Sequence, residues 1–158
     1  METVVNGANT AWVLICAALV LLMTPALAFF YGGMSRSKSV LNMLMMSFTA
    51  LGLVSVMWVV YGYAIAFGSS KGGLFGWTSG LVGLNDLVRG VTKDQAEGGV
   101  VNTFGLPDLA FSGFQMMFAV ITVALISGAV ADRMKFGGWV AFVVLWTSVV
   151  YFLSLIHI

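Results

Sequence analysis

The residues most able to do chemistry lie between Pro107-Asp108 and Asp132-Arg133. Phe111, Phe114, Phe118, Ile121 and Leu125 follow one another at intervals of 3, 4, 3 and 4 residues. On a helix that spacing gathers them into one stripe on one face. Gln115 and Thr122 lie beside the stripe. A helix that meets only lipid has no use for a glutamine, whereas a helix lining a path for a solute does. The pattern taken alone also fits packing or lipid contact, the commoner fate of phenylalanines at helical spacing. Covalent chemistry is poorly served. The apolar stretches hold no nucleophile–base pair, no pair of carboxylates and no cluster with metal-ligand spacing. Cys16 is the single cysteine, so it can form no disulfide within the chain, and it reads as a small buried hydrophobe. Neither an enzyme nor a bound cofactor is expected.

The elements that must position this stripe are membrane helices. Of 158 residues, 60% are hydrophobic and 8% are charged, and the mean hydropathy is +1.02. Soluble domains are about one quarter charged, so the composition predicts an all-α integral membrane protein with several spans. A net charge of +1 leaves no electrostatic footprint for nucleic acid. Four apolar segments stand out, at residues 10–31, 40–67, 109–131 and 137–158, each long enough to cross a bilayer as a helix. Asn9 and Thr10 are placed to cap the first, and Gly32-Gly33 to end it. Pro25 removes one backbone donor within it and predicts a bend. Trp58, Tyr61 and Tyr63 sit towards one end of the second segment, as in an interfacial aromatic belt. A very short turn joins the third to the fourth and predicts an antiparallel hairpin. Ala124, Gly128 and Ala131, and Gly52 with Ser55, are small enough to let helices approach closely. The loop at residues 68–108 is rich in glycine and carries Asp86, Asp94, Glu97 and Asp108. Its Phe75 and Trp77 are placed to dip into the membrane interface.

Orientation follows from the basic residues. Arg36 and Lys38, with no acid, follow the first segment, and Arg133 and Lys135, against Asp132, follow the third. These loops are expected on the cytoplasmic side. Lys71, Arg89 and Lys93 are diluted among acids in the long loop, which is expected outside together with the N-terminus. Only Glu2 is charged before Arg36, and no basic stretch precedes the first apolar run. The first segment therefore reads as a retained span and not as a cleaved signal peptide. No charged side chain falls inside the spans, unlike the buried ionisable groups of pumps and proton relays.

Four motifs in order carry a resemblance: Met-Thr-Pro-Ala-Leu-Ala-Phe-Phe-Tyr-Gly-Gly at 23–33, Val-Val-Tyr-Gly-Tyr at 59–63, Phe-Gln-Met-Met-Phe at 114–118, and Ile-Ser-Gly-Ala-Val-Ala-Asp-Arg-Met-Lys-Phe at 126–136. Together, from about residue 9 to about residue 152, they resemble the ammonium transporter (Amt/Mep/Rh) family. The resemblance implies the N-terminal four of eleven transmembrane helices, with the N-terminus outside. It implies a plasma or inner membrane location and assembly, at full length, as a homotrimer with one pore per subunit. In that family ammonium is recruited by aromatic rings and a hydroxyl, passes two stacked phenylalanines, loses its proton and crosses a hydrophobic pore. By position, Phe114 resembles the recruitment phenylalanine and Phe118 one of the two gate phenylalanines. Leu27, Phe30, Tyr31 and Leu125 resemble residues lining the inner pore, and Gln115 falls where the family often has glutamine. The implied partners are ammonium or ammonia, methylammonium as an analogue, the lipid bilayer, and a PII-type signal protein on the cytoplasmic face.

The pattern departs from the family at about Leu153. Where the family continues with Pro-x-Ala-His-x-x-Trp, residues 153–158 read Leu-Ser-Leu-Ile-His-Ile, as in a truncated or misassembled reading frame. His157 is similar in position to neither pore histidine and is not expected to act as one. The recruitment tryptophan, both pore histidines, the partner gate phenylalanine and the vestibule serine have no counterpart here, so the chain alone is not expected to conduct. Two other readings stay open: an ammonium sensor on the same membrane fold, and a four-helix membrane protein that scaffolds partners.

Overall fold

The computed structural model describes residues 5–73, 75–89, 105–155 and 157. Expectations that involve Glu2, Lys93, Asp94 and Glu97 lie outside them. Among the described residues, four helices are long and apolar enough to cross a membrane: Gly7–Met34, Val40–Phe67, Asp108–Val130 and Phe136–Leu155. The chain is an all-α, multi-pass membrane protein.

The first helix starts earlier than expected. Its cap is Asn6, not Asn9 or Thr10: the Asn6 side chain accepts from the backbone N–H groups of Ala8 (3.0 Å) and Asn9 (3.2 Å). Thr10 instead donates its hydroxyl to the Asn6 carbonyl at 2.8 Å. Such a cap satisfies donors that have no partner within the helix. The far end runs through Gly32-Gly33 to Met34, where Ser35 closes it by donating both its backbone N–H and its hydroxyl to Tyr31 O. Pro25 lies inside the helix, which continues past it.

The second helix is the centre of the bundle. It packs on the first, the third and the fourth helices. Met43, Met46, Ala50, Val54, Met57 and Trp58 bury one side of it, against Ala119, Val120 and Val123 of the third helix and Trp139, Val143 and Phe152 of the fourth. The chain does reverse between residues 130 and 136, but the fourth helix packs chiefly on the second and not on the third that precedes it. Three hydrogen bonds fix the relative directions. Asn42 Nδ2 donates to the Ala131 carbonyl at 2.9 Å, and Trp139 Nε1 donates to the Met46 carbonyl at 2.9 Å. Both tie the start of the second helix to the turn between the third and fourth. Trp58 Nε1 donates to Ser112 Oγ at 3.2 Å, tying its later half to the start of the third. The second, third and fourth spans therefore alternate in direction, and the first runs with the third, its Asn6 end meeting Gly105.

The second and fourth helices each widen into a π turn, at Trp58–Gly62 and Thr147–Tyr151. The two turns face each other. Tyr61 Oη and Ser148 Oγ are 2.8 Å apart, and the Phe152 ring fills the space beside Gly62, where an added Cβ would lie 2.5 Å from Cζ. This corrects the expected aromatic belt. Trp58 is 0% and Tyr63 6% exposed, so these rings build an internal cluster. Composition near a helix end does not distinguish the two roles. In the long loop, Ser70–Lys71 pairs antiparallel with Phe75–Gly76 in the register Ser70↔Gly76. Phe75 and Trp77 are both exposed there. The Asn6 N–H donates to the Gly105 carbonyl at 2.9 Å, joining the start of the first helix to the end of this loop.

Candidate aromatic transport site

The third helix carries the candidate site. Phe114 and Phe118 are one turn apart and meet edge to face, with ring centroids 5.0 Å apart and planes at 77°. The stripe read from the sequence divides along the helix. Phe118 is 39% and Leu125 49% exposed, whereas Ile121 is buried. Phe111 turns its edge to Phe67 at 5.5 Å. The 3-4 spacing describes a face roughly 100° wide, and Ile121 falls on its bundle side while Phe118 and Leu125 fall on its open side. Gln115 is half-buried beside the pair. Thr122 lies one turn below Phe118 and donates its hydroxyl to the Phe118 carbonyl at 2.7 Å, so its O–H is already engaged within the helix.

The inner group of candidates is held less uniformly. Tyr31 of the first helix lays its ring against Gly128 of the third, where an added Cβ would lie 2.6 Å from Cε2. This is the close approach expected of the small residues at 124, 128 and 131; Ala124 and Ala131 are buried alongside. The other small pair behaves differently. Gly52 has open space around it, and the Ser55 hydroxyl donates to Leu51 O at 2.7 Å on its own helix. Leu27 is half-buried, while Phe30, its ring 5.9 Å from that of Tyr31, is exposed. Among the described residues no group of His, Cys, Asp or Glu could hold a metal ion. A groove of about 440 Å³ lies elsewhere, where the first helix meets the second, lined by Phe29, Gly32, Gly33, Val40 and Leu44 with the hydroxyls of Ser35 and Ser37.

The chemistry available along the open face is that of rings and aliphatic groups. An aromatic face attracts a cation weakly, and an apolar wall tolerates a neutral solute far better than a charged one.

Residues 11–158 match the family described as the Ammonium Transporter Family. The chain belongs to the ammonium transporter family. Over 153 residues it is 54% identical to an ammonium transporter of Mycobacterium tuberculosis (strain ATCC 25618 / H37Rv), covering 93% of this chain and 32% of that protein. It is 46% identical over 145 residues to an ammonium transporter of Bacillus subtilis (strain 168), covering 90% of this chain and 33% of the relative. The crystal structure of Candida albicans Mep2 superposes with a TM-score of 0.79 at 25% identity, over 96% of this chain and 31% of that one. The chain thus spans about a third of the length of the ammonium transporters it matches. The family match runs through residue 158 and so includes the six residues at which the motif pattern changes.

The roles of the residues that tie the site to the bundle are not legible in the sequence. Trp58, Gly62, Ser112, Phe152 and Asn42 make the contacts between spans described above. Two traces of them are visible in the sequence: the shared Val-Val-Tyr at 59–61 and 149–151, where the π turns fall, and an asparagine in an otherwise apolar run.

Proposed function

We propose that this chain forms the N-terminal part of a channel-like transporter for ammonium, with Phe114 at the outer recruitment site and Phe118 at the gate below it. Leu27, Phe30, Tyr31, Gln115 and Leu125 are proposed to line the path further along. The observation that carries this reading is the edge-to-face Phe114–Phe118 pair on a helix whose open side presents Phe118 and Leu125 and no charge. A ring face holds a cation by about 0.5–2 kcal/mol, enough to concentrate ammonium without trapping it. Removing the water of a buried ammonium costs several kcal/mol, more than one ring offsets. Release of the proton to the water outside, leaving neutral ammonia to enter, avoids most of that cost. A path without charged side chains then suits neutral ammonia and rejects hydrated sodium and potassium.

The basic loops support an N-terminus outside, and a cell-membrane location is proposed on the family resemblance. Threefold assembly and binding of a PII-type signal protein on the cytoplasmic face are proposed on the family resemblance. The test joins this chain to the remaining two thirds of the Mycobacterium tuberculosis relative and expresses the chimera in a host lacking ammonium uptake. Saturable uptake of labelled methylammonium is expected, with a KM raised by Phe114→Ala. An unchanged KM in that variant rejects the site assignment, and uptake that competes with potassium but not with ammonium rejects the substrate.

A further inference from the structure

We infer that Trp58 is a positioning residue for the outer aromatic site, acting through its hydrogen bond to Ser112. The inference rests on the reading of Phe114 given above. Trp58 is fully buried, and an indole N–H withdrawn from water must find an acceptor. It finds one on another helix, Ser112 Oγ, at 3.2 Å. Ser112 is itself buried and lies near the start of the third helix, two residues before Phe114.

That end of the third helix needs an external anchor. Its cap position is Pro107, which offers no side-chain cap. Positions two apart on a helix point about 200° apart. Holding Ser112 against the second helix therefore turns Phe114 away from it, and a rotation by one residue would swing Phe114 by about 100°. Trp58 is in turn fixed from behind. It opens the π turn of the second helix, and its ring meets Phe152 edge to face at 5.8 Å. Phe152 is seated in the notch at Gly62. A contact path thus runs from the fourth helix through the second to the turn that bears Phe114.

The test uses the chimera described above with Trp58→Phe, which keeps a ring and loses the N–H, and Ser112→Ala, which loses the acceptor. Each is expected to raise the KM for methylammonium about three- to tenfold, the worth of one buried hydrogen bond, with maximal rate and membrane abundance held. The double variant is expected to be no worse than the more affected single variant, because both remove one interaction. Loss of abundance or maximal rate at unchanged KM overturns the inference, as do effects that multiply in the double variant. Phe114→Ala, measured in parallel, separates the two levels. If it raises the KM and Trp58→Phe does not, the site stands and the positioning role falls. If Phe114→Ala leaves the KM unchanged, the outer site falls and the positioning role falls with it.

Discussion

A phenylalanine can take part in ion recognition only where its ring face is reachable, and reach is what divides the residues of the third helix. Ile121 and Phe118 are three positions apart and equally apolar, yet one is buried in the bundle and the other is open. Truncating Phe114 to alanine should cost the ring–cation attraction alone. About 0.5–2 kcal/mol corresponds to a rise in KM of about twofold to thirtyfold at full length, with tyrosine at the same position retaining most of the affinity. Kinetics of methylammonium uptake measure this directly. The period of the stripe was legible in the sequence because helical spacing alone reports it. Its division was not, because spacing carries no record of which neighbour covers which edge. Trp58 and Tyr63 were misread for a related reason: an aromatic cluster near a helix end looks the same whether it faces lipid or the second and fourth helices of its own bundle.

At the scale of elements, the presence of four membrane helices was legible in hydropathy, and the pairing between them was not. The short 131–135 turn predicts an antiparallel hairpin and the chain does reverse there, but the facing π turns and the Phe152–Gly62 contact join the fourth helix to the second. That contact makes two predictions. Gly62→Ala places a Cβ 2.5 Å from Phe152 Cζ and should destabilise by about 1–3 kcal/mol, the usual cost of overpacking. Adding Phe152→Leu to it should recover part of the loss. Both are read as shifts in the thermal unfolding midpoint of the detergent-solubilised chimera, and an unshifted Gly62→Ala midpoint would show that the two turns are not packed together. The Tyr31–Gly128 contact behaves in the same way between the first and third helices. Gly128→Ala should lower the midpoint and Tyr31→Ala should restore it in the double variant, because the obstructing ring is then gone. In a membrane, where apolar area gives little drive for helix association, close contacts and buried hydrogen bonds such as Asn42 Nδ2 to Ala131 O carry more of the assembly.

For the whole molecule, the alternating directions of the four helices agree with the alternating charge of the loops. The two readings are independent, since one comes from hydrogen bonds at the helix ends and the other from lysine and arginine placement. Together they make topology testable in the chimera once Cys16 is replaced by serine. A cysteine at Ser37 should react with an impermeant maleimide only from the cytoplasmic side, and one at Ser70 only from outside; the reverse pattern would invert the route. Orientation alone does not make a pore. A saturable route that takes up ammonium needs a mouth and a path closed off from lipid, and Phe118 and Leu125 lie open on the third helix. A path with one wall exposes ammonium at its mouth to acyl chains. The 158-residue chain expressed alone, in a host lacking ammonium uptake, should therefore insert in the membrane and yet leave methylammonium uptake at background. The chimera, in the same host and at the same abundance, should restore it. Uptake above background by the short chain would mean that these four helices close a route among themselves, or between copies of themselves, and that the open face of the third helix is a wall completed by another copy of the chain.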